Sequence, residues 1–352
     1  MNLDLIQKLK FEKDLSREEF LYLLYNQNDF KEKLFKEAKE VTKKHFTNKL
    51  YVRGLLEISN ICKNNCYYCG IRCGNKNIKR YRLNSEEIIK SIIVGNHLGF
   101  KTFVLQGGED PYYTDEILCE VLKEIKKIAP DAAITLSVGE RSFDSYKNLK
   151  NAGADRFLLR HEAVDNELYY KLHPKEMSLE NRKKCLFNLK KLGYQTGSGF
   201  MVGAPYQSYE NIVEDLKFLK DLNPEMIGIG PFISQHDTDF QSFENGSVEL
   251  TVFLIAILRL MFPTANLPST TSLATLSENG RIMGINAGAN VFMPNISPEF
   301  AKENYNLYDN KLYSKMESAK NLNNLKTSFK KLGYDIVMER GDFVPENHYE
   351  EI

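Results

Sequence analysis

Cys62, Cys66 and Cys69 lie in the stretch ICKNNCYYCG, where a C-x3-C-x2-C spacing gathers three thiols on one short loop. Three thiolates hold three irons of a cubane 4Fe–4S cluster and leave the fourth iron open to a small molecule, whereas a closed cluster takes four. Cys73 supplies a further thiol just beyond, so a closed C-x3-C-x2-C-x3-C metal site on a non-catalytic scaffold is the alternative. Zinc accounts for the loop less well. A structural zinc site takes four protein ligands, and a catalytic one would be expected to draw on His, which the loop lacks. Gly74 follows Cys73 where closed four-cysteine runs carry Pro.

A second set of polar residues recurs at the ends of apolar runs. Gln106-Gly107-Gly108-Glu109-Asp110 holds two glycines that let backbone come close to a ligand, although Gly-Gly after a strand is also an ordinary turn. Ser137, Arg160, Glu162 and Arg182 offer what a zwitterionic nucleoside requires. A guanidinium pairs with a carboxylate, a carboxylate accepts both ribose hydroxyls, and a serine adds one hydrogen bond. Charges just past buried strands are equally at home in surface pairs and helix caps. Thr270 and Thr271, in Pro268-Ser269-Thr270-Thr271, suit a carboxylate or similar anion, with a helix N-cap as the plain alternative. Met293 ends a further apolar run, and Tyr305 and Tyr308, spaced one helical turn apart, either roof a cavity or fill a core. His236 and Asp237 share a loop and are given no role.

The elements that must position these residues begin at Tyr51, where short apolar runs alternate with longer amphipathic stretches. The predicted strands are Tyr51–Ile58, Thr102–Gln106, Ala133–Val138, Arg156–Arg160, Gln195–Val202, Met226–Ile229, Ala265–Thr270 and Ala289–Met293. Between them lie predicted helices Ser85–Leu98, Thr114–Ile128, Ser142–Ala152, Asn166–Leu172, Ser178–Leu192, Ser208–Leu222, Val248–Phe262 and Ala274–Ala287. Such alternation implies an α/β fold, a (β/α)8 TIM-type barrel with its chemistry at the strands' C-terminal ends, while an open doubly wound sheet is permitted by the same pattern. The barrel is preferred because residues capable of chemistry follow nearly every strand. Residues 1–48 read as an N-terminal helical cap, 49–312 as the barrel, and 313–352 as a C-terminal helix to Leu332 with a short acidic tail packed on the barrel.

The totals exclude some partners. Lys plus Arg equals Asp plus Glu at 47 each, so no global field draws the chain of 352 residues to nucleic acid or anionic lipid. The start, MNLDLIQKLKFEKD, lacks the apolar core of a signal peptide, and Val252–Leu258 is too short to span a bilayer. Six cysteines, three of them within one short loop, point to metal ligation in a reducing, cytoplasmic setting more than to disulfides.

With Tyr68 before the third cysteine, the loop completes a C-x3-C-x-aromatic-C signature and resembles the radical S-adenosylmethionine (SAM) enzymes. Across Tyr51–Tyr308, the segments NKNIKRYRL, VLQGGEDPYY, LSVGE, RFLLRHE, LENR, GYQTGSGFMVGAP, MIGIGPFI, PSTT and GANVFMPN resemble the HydE group of [FeFe]-hydrogenase maturases. Methylornithine synthase and biotin synthase are related alternatives acting on an amino-acid or sulfur substrate. The resemblance implies one 4Fe–4S cluster on Cys62, Cys66 and Cys69, with SAM on its open iron. It puts Tyr68 beside them, Gly107, Gly108 and Glu109 at the methionine amino group, Arg182 at the carboxylate, Glu162 at the ribose and Ser137 at a polar contact. Arg160, Thr270 and Thr271 would hold the substrate, and Met293, Tyr305 and Tyr308 would line its cavity. The implied reaction is reductive cleavage of SAM to a 5′-deoxyadenosyl radical that attacks a cysteine-bound iron carbonyl cyanide species. That product would feed the hydrogenase's di-iron subcluster and its dithiomethylamine bridge. An electron donor such as a ferredoxin or flavodoxin and other maturation proteins are the implied partners. Some maturases carry extra C-terminal cysteines for an auxiliary cluster. Tyr305–Leu322 has none, so a single cluster is expected.

Overall fold

A computed structural model describes residues 4–311 and 322–346. The strands are β1 (Lys49–Val52), β2 (Gly54–Ser59), β3 (Thr102–Gly107), β4 (Ala133–Ser137), β5 (Arg156–Leu158), β6 (Gln195–Ser198), β7 (Met201–Val202), β8 (Met226–Ile227), β9 (Gly230–Pro231), β10 (Val291–Phe292) and β11 (Asp335–Val337). An all-parallel sheet runs β2-β3-β4-β5-β6-β8. Single parallel bridges then carry the ring from Met226 to Asn266, from Pro268 to Val291, and from Asn295 back to Leu55 of β2. The ring is a barrel, as expected. Its seventh member, predicted over Ala265–Thr270, is reduced to those bridges because Pro268 brings no backbone N–H to the ladder. The predicted fifth and sixth strands each break in two, and their outer halves, β7 and β9, pair with each other.

Strands buried on both faces explain the near-continuous apolar runs: every residue of β2 is buried, including Glu57. The flanking helices follow the predicted spans closely, except that Ala274–Ala287 is two short helices, Thr271–Leu276 and Gly280–Asn286. The N-terminal region forms helices Leu5–Glu12, Arg17–Tyr25 and Gln27–Phe46, and a Ser16–Glu19 capping box starts the second of them. Gln27–Phe46 packs over Val248–Met261, which is why that helix is apolar nearly all round. Arg259 within it is fully buried, and its guanidinium donates to the carbonyls of Gly288, Pro263 and Ala265 at 2.7–2.9 Å. Among the described residues no helix is long and apolar enough to cross a membrane.

The tail departs from expectation. A helix occupies Leu322–Lys331, while 313–321 of the predicted helix lies outside the described residues. Beyond it the chain is not a simple acidic terminus. β11 pairs in parallel with β1, and the segment Arg340–Phe343 crosses the N-terminal end of the barrel. There Asp342 meets the fully buried Arg156 at 2.7 Å, Arg340 meets Asp155 at 2.7 Å, and Gly341 O accepts from Asn266.

Candidate active site

The cysteine loop leaves β2 at the C-terminal end of the barrel and is tied down by backbone bonds on every side. Lys63 N–H donates to Glu109 O at 3.0 Å, Tyr67 N–H to Leu172 O at 3.0 Å, Gly70 N–H to Leu307 O at 2.8 Å, and Cys73 N–H to Asn64 O at 2.9 Å. Cys62, Cys66 and Cys69 are free thiols and half-buried, whereas Cys73 is exposed. Burial first, and the neighbouring Cys62 next, push the Cys69 thiol up to about 12; Cys62 and Cys66 are raised as well, chiefly by burial. Among the described residues, no three His, Cys, Asp or Glu side chains converge as ligands of one ion. Three free thiols on one short loop, with Cys62 close enough to act on Cys69, are soft ligands of the kind that iron–sulfur clusters take. The donor set therefore fits a 4Fe–4S cluster held by three cysteines, and a bound metal would hold those thiols deprotonated.

The glycine turn after β3 is built against that loop. Glu109 N–H points at Cys62 Sγ, 3.4 Å away, and Gly108 N–H donates to Ser59 O at 3.1 Å. A Cβ on Gly108 would stand 2.2 Å from Ile61 O and 2.7 Å from Cys62 Cβ, so only glycine brings the turn this close. Gly139 plays the matching part after β4: its φ is +82, and an added Cβ would collide with the Glu109 side chain. A cleft of about 250 Å3 opens beside the turn, lined by Lys63, Glu109, Val138, Glu140 and Arg141.

Arg182 and Glu162 are not part of that lining, but Arg182 reaches two of the residues that are. Arg182, in helix Leu179–Lys191, donates to Glu140 Oε1 at 2.5 Å and to Arg160 O at 2.6 Å, and stands 3.9 Å from Glu109. Glu162 has φ +65, a left-handed conformation that costs a non-glycine residue about 1–2 kcal/mol and marks a held geometry. Its Oε2 lies 3.1 Å from Arg160 Nη2, yet neither atom is aligned for a hydrogen bond, and both are buried without one, as is Arg160 Nε. Tyr68 donates to His173 Nε2 at 3.1 Å while His173 Nδ1–H donates to Tyr169 O at 2.9 Å. Burial pushes His173 down to about 3, so the ring is neutral and the tautomer is fixed by the carbonyl. Tyr169 stacks on His173 at 4.2 Å, and its own buried hydroxyl has no partner among the described residues.

The remaining expected residues do not all share one cavity. Ser137 ends β4 beside Gln106 of β3. Thr270 occupies the N-cap position of helix Thr271–Leu276 with its hydroxyl on Ser272 Oγ at 3.0 Å, so the capping alternative describes its position but not its bond. Met293 is half-buried just past β10. Tyr305 and Tyr308 are not on a helix, which ends at Asn304, and they diverge. Tyr305 is buried with its hydroxyl 3.4 Å from Gln106 Nε2, while Tyr308 lines an outer cleft of about 600 Å3 with Asn77, His236 and Asp309. His236 holds Asp309 at 2.7 Å and Asp237 at 3.2 Å. Sequence reasoning missed Glu57, fully buried on β2, which pairs with Lys311 at 2.5 Å and accepts from Asn295 at 2.9 Å. It also assigned no role to Glu140, which anchors Arg182. The common signal was charge inside or at the end of an apolar run.

A fold of this kind, with three loop cysteines packed on a glycine turn at the barrel mouth, defines a radical SAM protein. Residues 56–219 match the model of the Radical SAM superfamily. The [FeFe] hydrogenase maturase subunit HydE of Thermotoga maritima is 43% identical over 310 residues, covering 88% of this chain and 87% of that one. A 3-methylornithine synthase of Methanosarcina acetivorans is 30% identical over 80% of this chain and 79% of its own. Among solved structures, methylornithine synthase superposes with a TM-score of 0.82 at 26% identity, covering 95% of this chain and 97% of that one. The maturase HydG has the same fold at TM-score 0.80 and 21% identity, over 98% of this chain and 76% of its own. The chain belongs to the radical SAM superfamily and, within it, to the HydE family of hydrogenase maturases. It is a radical SAM enzyme, and a 4Fe–4S cluster and SAM are the cofactors of its family.

Proposed function

We propose that this chain holds a single 4Fe–4S cluster on Cys62, Cys66 and Cys69, binds SAM at its open iron, and acts in [FeFe]-hydrogenase maturation on a cysteine-bound iron carbonyl cyanide precursor. The observation that carries the reading is the contact between the glycine turn and the cysteine loop, Glu109 N–H against Cys62 Sγ at 3.4 Å. It joins the site for the methionine end of SAM to the site for the metal. When bound and reduced, the cluster supplies the electron that cleaves SAM to a 5′-deoxyadenosyl radical.

The chain's own residues bind, orient and exclude water. The turn Gly107–Glu109 receives the amino group, Arg182 faces the carboxylate from its anchorage on Glu140, and Glu162 presents its carboxylate to the ribose. Ser137 adds a polar contact. Tyr68 is held by His173 at the edge of the cluster loop. Arg160, whose Nε is buried without a partner and whose Nη2 stands 3.1 Å from Glu162 Oε2, is the receiver of a substrate carboxylate, with Thr270 and Thr271 as further polar contacts. Tyr305 and Met293 line the interior. The strap Asn304–Lys311 covers the mouth through Gly70–Leu307, Asn60–Asn304 and Lys311–Glu57 bonds. Cys73 is left out of the metal site.

The test is anaerobic reconstitution, reduction and measurement of 5′-deoxyadenosine, followed by activation of an apo-hydrogenase with this protein as the sole maturase of its type. No SAM cleavage would end the catalytic reading. A second reading, a lysine-rearranging enzyme, draws on the extensive likeness to methylornithine synthase. Rearrangement of lysine without hydrogenase activation would decide for it. Iron well above one cubane per chain would refute the single cluster.

A further inference from the structure

Glu162 keeps its left-handed backbone beside one buried group in a distant helix, which is bonded to its C-terminal flank and packed against its N-terminal one. On the C-terminal side, Val164 N–H donates to Asp215 Oδ1 at 2.8 Å. On the N-terminal side, the His161 ring turns its Nε2 to the same oxygen at 3.4 Å and its Nδ1 to Ser198 Oγ at 2.9 Å. Glu162 N–H itself donates to Gly199 O at 3.1 Å, and Ala163 N–H doubles back to His161 O at 2.8 Å. Asp215 and His161 are both fully buried, the imidazole lying against the rings of Phe200 and Phe218. Asp215 belongs to helix Tyr209–Leu222, and a buried carboxyl on an outer barrel helix needs a reason.

The protons can be assigned from the bonds. Ser198 Oγ–H donates to Leu159 O at 3.1 Å, so it must accept from His161 Nδ1–H. That leaves the lone pair of Nε2 3.4 Å from Asp215 Oδ1, a contact not aligned as a hydrogen bond, and a neutral carboxyl avoids setting a charge against it. Burial acts the same way on both partners, raising Asp215 well above the usual carboxylate range and pushing His161 down to about 3. The charged groups nearby, Arg160, Glu162, Arg182, Asp165 and Lys183, all stand outside this apolar sleeve or at its rim, with Lys183 on Val164 O at 3.3 Å.

We propose that Asp215 is a positioning residue for Glu162, bonding the backbone at Val164 and backing the His161 ring so that the strained carboxylate points into the nucleoside site. The inference rests on the reading of Glu162 as a ribose contact. Asp215 touches neither cluster nor SAM; it acts through Val164 and His161.

The test compares the parent with Asp215→Asn, Asp215→Leu, Ser198→Ala and Glu162→Gln. SAM affinity is read from the change in the reduced cluster's EPR spectrum on titration at equal iron content. Hydrogen exchange of the 159–165 segment is read by mass spectrometry on metal-free protein. Asp215→Asn keeps the acceptor for Val164 N–H, so SAM affinity stays within about threefold of the parent. Asp215→Leu has the same branched shape, is larger, and has no hydrogen-bonding group; affinity falls at least about tenfold and the 162–164 amides exchange faster. Ser198→Ala, a mild change, weakens SAM by roughly two- to fivefold. Parent-like affinity and exchange in Asp215→Leu overturn the proposal, as does a loss in Asp215→Asn equal to that in Asp215→Leu. If Asp215→Leu yields no soluble protein, unchanged affinity and exchange in Ser198→Ala overturn it instead. Glu162→Gln tests the underlying reading separately: undiminished SAM binding there refutes the ribose contact, while the exchange data alone decide the clamp.

Discussion

The two ends of the barrel are built by opposite rules. At the N-terminal end, Arg340–Phe343 lies across the strand starts and nearly every charge finds a partner: Arg156 with Asp342 and Gln195, Arg340 with Asp155 and Asp342. At the C-terminal end, polar groups are buried and left incomplete: Arg160 Nε, the Tyr169 hydroxyl, and the Arg160 Nη2–Glu162 Oε2 pair, which is 3.1 Å apart without hydrogen-bond alignment. One exception stands at the N-terminal end itself: Arg53, buried near Arg156 and Asp342, sets Nη1 on Met226 Sδ while Nε and Nη2 have no hydrogen-bond partner among the described residues. An unpaired buried polar group costs about 1–3 kcal/mol, so a cluster of them persists where something else completes the bonds. The closed end supports the fold, and the open end is where a ligand belongs.

The contrast is broken most severely at the cysteine loop. Cys66→Ala removes one of three ligands, and SAM cleavage by the reconstituted protein is expected to fall to background. Cys73→Ala, at an exposed position, should retain more than about half of it. Equal loss in the two variants would restore the closed four-cysteine site. Next in size is Arg160→Gln. It shortens the group that stands ready at the mouth, so processing of the carboxylate-bearing substrate should drop by about tenfold or more. SAM cleavage uncoupled from substrate should change little. A parallel loss of both would move Arg160 from substrate to cofactor.

The other end should respond in stability. Asp342→Ala leaves the buried Arg156 without its carboxylate. Removing one member of a buried pair costs about 3–5 kcal/mol, discounted to about 2 kcal/mol because Asp342 is 36% exposed. The expected drop in Tm is roughly 2–6 °C, with SAM cleavage at 25 °C within about twofold of the parent. A collapse of activity at unchanged Tm would erase the division between the two ends.

What could be read from the sequence was local. The cysteine spacing, the Gly107–Glu109 turn and the alternation of strands and helices each declare themselves within a short window, and the barrel followed from them. What escaped was made by long-range pairing. Glu57 meets Lys311 across 254 residues, Val164 meets Asp215 across 51, and neither partner carries a mark in its own neighbourhood. Strand seven is missing from the regular ladder although its apolar run was plain, because Pro268 cannot donate. β11 was hidden because its residues are only half-buried and the Arg340–Phe343 segment is polar, its purpose visible only against Arg156 and Asp155. Tyr305 and Tyr308 share a spacing that means one face only on a helix, and the helix stops before them.

The smallest effect is expected at the strap that covers the mouth. His236 bonds Asp309 at 2.7 Å and faces Asp237 at 3.2 Å, joining the loop after β9 to the segment that carries Tyr305 and Lys311. The bond to Asp309 raises the His236 pKa above its ordinary 6.5. A histidine whose folded pKa is raised contributes stability that is fully present below the unfolded value and is lost as pH rises through the folded one. His236 is 70% exposed and screened by solvent, so the contribution is small. His236→Gln should therefore lower Tm slightly near pH 6 and leave it unchanged near pH 8.5, with faster hydrogen exchange across 304–311 at the lower pH only. A difference that grows with rising pH would mean that the latch is held by the neutral ring, and the mouth would then owe its cover to Gly70–Leu307 and Lys311–Glu57 instead.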